Sequence, residues 1–155
     1  MSSSFTDDDS RYMRMAITAS REARQRGDMP FGAVLAKDGE ALLIAMNTQV
    51  TQQDCTGHAE TVLVREAEAT LGKVAMAGAT VYASGEPCGM CAGAMFWAGI
   101  TRVVWAASTP EIDAALGGMS LGARCAEVLA KASPAVSVEG PLLGAEAVAV
   151  LQGKS

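Results

Sequence analysis

The sequence predicts an α/β fold in which helices sandwich one mixed sheet. Three observations predict it. Two apolar, strand-like runs flank Asp38-Gly39, a strong hairpin dipeptide; two further strand-like runs alternate with segments of helical spacing; and half of the 155 residues are apolar, enough for one sizeable core. Residues 1 to 10 (MSSSFTDDDS) read as a flexible lead-in, with Asp7, Asp8 and Asp9 placed to favour the positive end of a following helix. A single folded domain then covers residues 11 to 155. Its first helix runs to about Gln25, because Tyr12, Met15, Ala16, Ala19 and Ala23 recur on one face while Arg11, Arg14, Arg21 and Arg24 lie largely on the other, and Gly27 ends it.

Strands are expected from Phe31 to Lys37 and from Ala41 to Met46, joined as a hairpin. A polar loop from Asn47 to Gly57 leads to a helix beginning at His58 and stopped by Gly72. Ala79 to Ala83 is a third strand, and the break at Ser84-Gly85-Glu86-Pro87 opens a helix from Cys88 to Ala98. Thr101 to Ala106 is a fourth strand. Beyond Ser108 the pattern gives a helix from Leu121 to Lys131, a short strand near Val136 to Val138, and a helix from Pro141 to Leu151. No internal repeat or linker marks a domain boundary.

Composition narrows the function classes. Twelve Lys and Arg against 17 Asp and Glu give a net charge of -5, which disfavours a broad surface for nucleic-acid phosphates. The first ten residues carry neither a basic leader nor an apolar stretch, and no apolar run approaches the roughly 20 residues of a membrane span; a cytoplasmic protein with no membrane partner is expected. In that compartment Cys55, Cys88, Cys91 and Cys125 are expected as thiols or metal ligands rather than disulfides.

The chemistry lies in two short segments. His58, the only histidine, is followed two residues later by Glu60, and about thirty residues on comes Pro87-Cys88-Gly89-Met90-Cys91. One imidazole and two thiolates offer Zn²⁺ three protein ligands and leave the fourth tetrahedral position to water, the arrangement of a catalytic site. Both ligand groups fall at helix starts, where unpaired N–H groups and the helix dipole favour thiolates. Glu60 points some 200° around the helix from His58, so it is expected to serve as a proton carrier rather than as a ligand. This set equips hydrolytic deamination: zinc lowers the pKa of its water, Glu60 takes the proton, hydroxide adds to an amino-bearing ring carbon, and ammonia leaves. A redox Cys-x-x-C pair leaves His58 and Glu60 without a role. A zinc-stabilised scaffold without turnover would need Cys55 or Cys125 as a fourth ligand.

His58-Ala59-Glu60 with Pro87-Cys88-Gly89-Met90-Cys91 resembles the H-x-E…P-C-x-x-C signature of the zinc-dependent cytidine deaminase superfamily. Pro30-Phe31-Gly32-Ala33-Val34 and Glu86 to Met95 are similar to the branch containing guanine deaminases and tRNA adenosine deaminases. The resemblance covers residues 12 to 107 well and the remainder poorly. It implies a three-layer α/β/α sandwich with a central mixed five-stranded sheet, one zinc ion per chain between two helix starts, and a homodimer. It also implies that Asn47 hydrogen-bonds the substrate base, and that Ala59 and the Ser84 to Glu86 turn line the pocket. Phe31 either stacks beneath the ring or belongs to the core.

Two substrate classes remain. Trp97-Ala98 resembles guanine-deaminase-like enzymes more than tRNA adenosine deaminases. After residue 107 only Arg124, Lys131 and Lys154 stand against Glu111, Asp113, Glu127, Glu139 and Glu146, a poor surface for tRNA. Asp113 lies where guanine-deaminase-like enzymes carry an aspartate that helps to hold the base, and a carboxylate suits an N–H-rich edge; a helix-capping role is the alternative. The segment from Leu142 to Ser155 lacks the aromatic ending typical of those enzymes. The leading expectation is a deaminase of a free nucleobase or nucleoside (guanine or a related aminopurine, a cytosine-like ring or a triazine), and the alternative is a tRNA adenosine deaminase.

Overall fold

Asp38 and Gly39 both take left-handed backbone, with φ of 52° and 79°, the geometry that a two-residue hairpin turn demands. They join β1 (Gly32–Lys37) to β2 (Glu40–Met46) in the computed structural model of the protein, which describes residues 5–154. β1 pairs antiparallel on its other side with β3 (Thr80–Gly85), and β3 continues parallel to β4 (Arg102–Ala107) and then β5 (Ser137–Glu139). Among the described residues the sheet is therefore five-stranded and mixed, in the order β2-β1-β3-β4-β5.

Alternation along the strands sorts two cores. Ala33, Leu35, Val81 and Val103 face α2 (Ala59–Leu71) and α3 (Gly89–Ala98), while Val34, Ala36, Tyr82 and Val104 face α1 (Asp7–Arg26) and α6 (Gly144–Leu151). β1 is covered on both faces, which is why its sequence, GAVLAK, reads as a nearly continuous apolar run. The expected three layers are present. Among the described residues no helix is long and apolar enough to cross a membrane.

Several boundaries differ from expectation. α1 starts at Asp7, because the Thr6 hydroxyl accepts the Asp9 N–H and the Asp9 carboxylate accepts the Thr6 N–H; residues 7 to 10 are thus the helix's first turn, not lead-in, and residues 1–4 of that lead-in lie outside the described residues. A single 3₁₀ turn, Lys73–Met76, follows α2. An unexpected helix α4 (Thr109–Leu116) begins at Ser108, whose side chain and that of Glu111 cap each other's backbone, with Pro110 in the first turn. The helix expected over 121–131 shrinks to α5 (Cys125–Val128), since Gly117, Gly118 and Gly122 all have positive φ and the chain before Arg124 is irregular. β5 is shifted by one residue from Val136–Val138. α6 begins three residues after Pro141.

Asp9 ties these layers together. It is buried, and its carboxylate accepts bonds from Arg102 Nη1 and Nη2 at 3.0 and 3.2 Å and from the Tyr82 hydroxyl, while Arg102 Nε donates to Glu139 at 2.7 Å. Burial would raise the Asp9 pKa; the bonds from Arg102, Tyr82 and the Thr6 backbone outweigh it and hold the carboxyl well below its usual range. Because the folded value lies below the unfolded one, this stabilisation is full above about pH 4 and is lost as pH falls through the lower folded value. Asp9→Asn is expected to cost about 2 kcal/mol at pH 7, with the gap from the unaltered chain closing below about pH 4. Thermal unfolding followed by circular dichroism from pH 7 to pH 2 checks this; a gap independent of pH would remove the carboxylate's charge from the explanation.

Candidate active site

The site forms where two helix starts meet beyond the carboxyl ends of β3 and β4. Gly85 pairs with Ala107 at those ends, and the Glu86 N–H donates to the Ala107 carbonyl at 2.7 Å, so the chain leaves β3 in a fixed direction before α3 begins. The loop from Asn47 to Gly57 delivers the other helix. Asp28, with its side chain fully buried, accepts the Val50 and Thr51 N–H groups and the Thr51 hydroxyl, each at 2.9 Å. His58 then caps α2 as Cys88 caps α3, both in extended backbone.

α2 packs on α3, with Ala59, Val62, Ala92 and Met95 in the same core, and this brings the ligand groups together. His58 Nδ1 lies 3.5 Å from Cys88 Sγ, and the donor atoms of His58, Cys88 and Cys91 all fall within 4.8 Å of one another. A tetrahedral zinc site with ordinary bond lengths separates its ligand atoms by about 3.5–3.8 Å, so the set can close on an ion with small side-chain movements. Neither exposed Cys55 nor buried Cys125 belongs to the group. The sulfur chemistry also fits a metal. Bonds from Cys91 and His58 outweigh burial and push the Cys88 thiol down to about 4, whereas Cys91, beside that thiolate and buried, is pushed up. Once Cys88 is ionised its thiolate opposes the ionisation of Cys91, and a dication between the two sulfurs relieves that conflict. Thr61 Oγ1, 3.2 Å from Cys91 Sγ, steadies the deeper ligand.

Glu60 is buried in the first turn of α2 and faces the same cavity. Burial pushes its carboxyl up to about 7, against a bond to Cys91. A carboxyl poised there both accepts and returns a proton at neutral pH.

The cavity has a volume of about 460 Å³. Phe31, Ala59, Glu86 and Asp113, expected from the sequence at the substrate, line it with His58, Glu60 and Cys88. The Phe31 ring lies so close over Gly85 that a Cβ there would sit 2.6 Å from Cε1. Asn47 and Ser84 are placed differently. The buried Asn47 amide donates to Gln49 Oε1 at 2.6 Å and accepts the Gln49 N–H at 2.9 Å, and Gln49, not Asn47, reaches the cavity. The Ser84 hydroxyl accepts the Gly32 N–H at 2.9 Å, tying β3 to β1. Sequence reasoning missed the cap: Ile112 and Leu116 of α4 and Met119, Ser120 and Leu121 beyond it line the cavity. The signal was present in Ser108-Thr109-Pro110-Glu111, a capping box with a proline inside it.

Residues 6–107 match the cytidine and deoxycytidylate deaminase zinc-binding region, and the chain belongs to that family. Its relatives divide by substrate. A tRNA-specific adenosine deaminase of Bacillus subtilis is 40% identical over 103 residues, 66% of this chain and 64% of that protein's length. A probable cytosine deaminase of Schizosaccharomyces pombe is 31% identical over 156 residues, 95% of this chain and 92% of the other. The guanine deaminase of Bacillus subtilis is 38% identical over 108 residues, 69% and 68% of the two chains. A solved structure from work on A-to-I editing by tRNA:A34 deaminases superposes with a TM-score of 0.76 at 30% identity, covering 90% of this chain and 98% of that one, and confirms the fold.

Cys88→Ala and Cys91→Ala are each expected to drop bound zinc from one per chain to a small fraction, and to lower thermal stability with it. Elemental analysis after dialysis checks this; stoichiometric zinc in either variant would overturn the ligand assignment.

Proposed function

We propose that the chain is a hydrolytic deaminase of a free nucleobase or nucleoside, with guanine or a related aminopurine as the leading substrate and cytosine-like or triazine rings as neighbours in the same chemistry. The observation that carries the reading is the cavity, which at about 460 Å³ has room for a base or a nucleoside, has Glu60 and His58 in its wall, and has no lysine or arginine among its described lining residues. A chain of net charge -5 with such a pocket offers little to a phosphate backbone.

A zinc ion held by His58, Cys88 and Cys91 would supply the Lewis acidity that lets water act as a nucleophile at neutral pH. Glu60 accepts one proton from the attacking water and passes it to the ring nitrogen beside the amino-bearing carbon, then takes the second proton from the newly added hydroxyl and delivers it to the departing amino group, so that the carbonyl forms as ammonia leaves. Water and the amino carbon become a carbonyl and ammonia. Phe31 lies along the base, the first turn of α2 at Ala59 presents backbone N–H groups, and Asp113 accepts from an N–H edge. A base that bonds to Asn47 has to displace the Gln49 contact first. In Glu86 the carboxylate is already occupied by protein donors, so it shapes the pocket rather than binding the base.

The tRNA adenosine deaminase reading stands second, carried by the relative at 40% identity. One experiment separates the two. Ammonia release by the zinc-loaded chain is measured on free bases, nucleosides and an anticodon stem-loop, with Glu60→Ala beside it. Turnover of a small base or nucleoside, lost by at least about 10²-fold in Glu60→Ala with zinc retained, is the expected outcome. Silence on every small molecule with inosine formed in the RNA would establish the second reading.

The proposal includes a cytoplasmic homodimer. Trp97 on α3 is 77% exposed, whereas Met95 beside it is buried in the core, so the tryptophan is available for a contact between copies. Sedimentation of the purified chain is expected to give a dimer that Trp97→Ala weakens.

A further inference from the structure

Burial within the cap does not account for its position. No residue from 108 to 124 is buried; Ile112, Ala115 and Leu116 rest only partly on the α1–α6 core, Leu121 is 74% exposed and Met119 is fully so. The bonds inside the cap, Ser120 to Asp113 at 2.8 Å and the Gly122 N–H to Ser120 at 3.1 Å, shape it without tying it to the sheet. Gly117, Gly118 and Gly122, all in left-handed backbone, leave the stretch after α4 without regular structure.

Apart from the buried Cys125 at its far end and the packing of α4 on α6, its hydrogen bonds to the frame run to one carboxylate. The Glu86 side chain is 1% exposed and receives four donor contacts. Oε1 accepts the Thr109 N–H at 2.8 Å and Arg124 Nε at 2.8 Å; Oε2 accepts Arg124 Nε at 3.0 Å and the Cys125 N–H at 3.1 Å. Thr109 is the first residue of the cap and Arg124-Cys125 its last, so both ends of the segment converge on a group held at the carboxyl end of β3. Three N–H groups thus meet this carboxylate, the single Nε–H of Arg124 being shared between its two oxygens. Arg124 is itself steadied by the Trp105 ring, 5.6 Å from its guanidinium carbon.

We propose that Glu86 is a positioning residue for substrate selection: it clasps both ends of residues 109–125 and thereby sets where Ile112, Asp113 and Leu121 stand over the cavity. Glu86 touches no reacting atom. The proposal rests on the deaminase reading for what the cap covers, while the clasp itself does not depend on that reading.

The test uses the zinc-loaded full chain and two variants. Glu86→Gln keeps the shape but sets an NH₂ group against N–H donors, and Arg124→Ala removes only the side-chain arm. In hydrogen–deuterium exchange, amides of 109–124 are expected to exchange about tenfold faster in Glu86→Gln and several-fold faster in Arg124→Ala, with β1 to β4 unchanged and zinc retained. On a base that the unaltered chain turns over, KM is expected to rise about tenfold while kcat changes by less than about threefold. Unchanged exchange in 109–124 in both variants would overturn the clasp, and a fall in kcat with KM unchanged would overturn its role in selection. If Glu86→Gln does not fold, Arg124→Ala decides both points. If the unaltered chain turns over no small base, the deaminase reading fails, and exchange alone still decides the clasp.

Discussion

Three ligand atoms from two helices have to converge within reach of one metal ion, and the rest of the fold is arranged around that requirement. His58 and Cys88 are each the last extended residue before a helix, so their positions depend on where α2 and α3 begin and on how closely the two axes approach. Small side chains permit the approach: Ala59 and Ala92 are fully buried on the same side of the sheet. Cys91, one turn into α3, returns to the same face as Cys88 because three residues nearly complete a helical turn. A bulky residue at either alanine would separate the ligands before it altered any chemistry.

The frame and the cap are built on different physics. The frame has two dry cores and the Asp9–Arg102–Glu139 network across α1, β4 and β5, so its geometry is over-determined. The cap has no buried residue between 108 and 124 and depends on polar contacts at its ends. The matched family region stops at residue 107, one residue before the α4 cap at Ser108. The residues that could hold zinc thus sit on the well-packed part of the chain, and the cap lies beyond the matched family region.

The frame was legible because its signals are local. Asp38-Gly39 announced a turn with positive φ at both positions, and the His58, Glu60, Cys88, Cys91 spacing announced the metal chemistry before any packing was known. The cap was not legible, since its apolar residues, Met119 and Leu121 above all, are not buried and follow no helical period. The helix expected over 121–131 failed on the glycines before it. Asn47 and Ser84 were expected at the substrate, and the structure engages their polar atoms with Gln49 and Gly32. A residue's type limits which bonds it can make, and the fold decides which partner arrives.

Glu60 and Glu86 show how that decision assigns chemistry. Both are buried carboxylates that line one cavity. Glu86 is met by two backbone N–H groups and a guanidinium, so its oxygens are engaged in holding chain segments together. Burial makes the charged form of Glu60 costly and pushes its carboxyl up to about 7, against the bond to Cys91 and the attraction of the His58 imidazole. A group that is indifferent between its two protonation states near neutral pH is the one that can carry a proton in both directions within a single turnover. Two carboxylates in one cavity wall thus differ in their surroundings: Glu86 is held by protein donors, whereas Glu60 is left to burial, the environment that the proposed proton transfer asks of it.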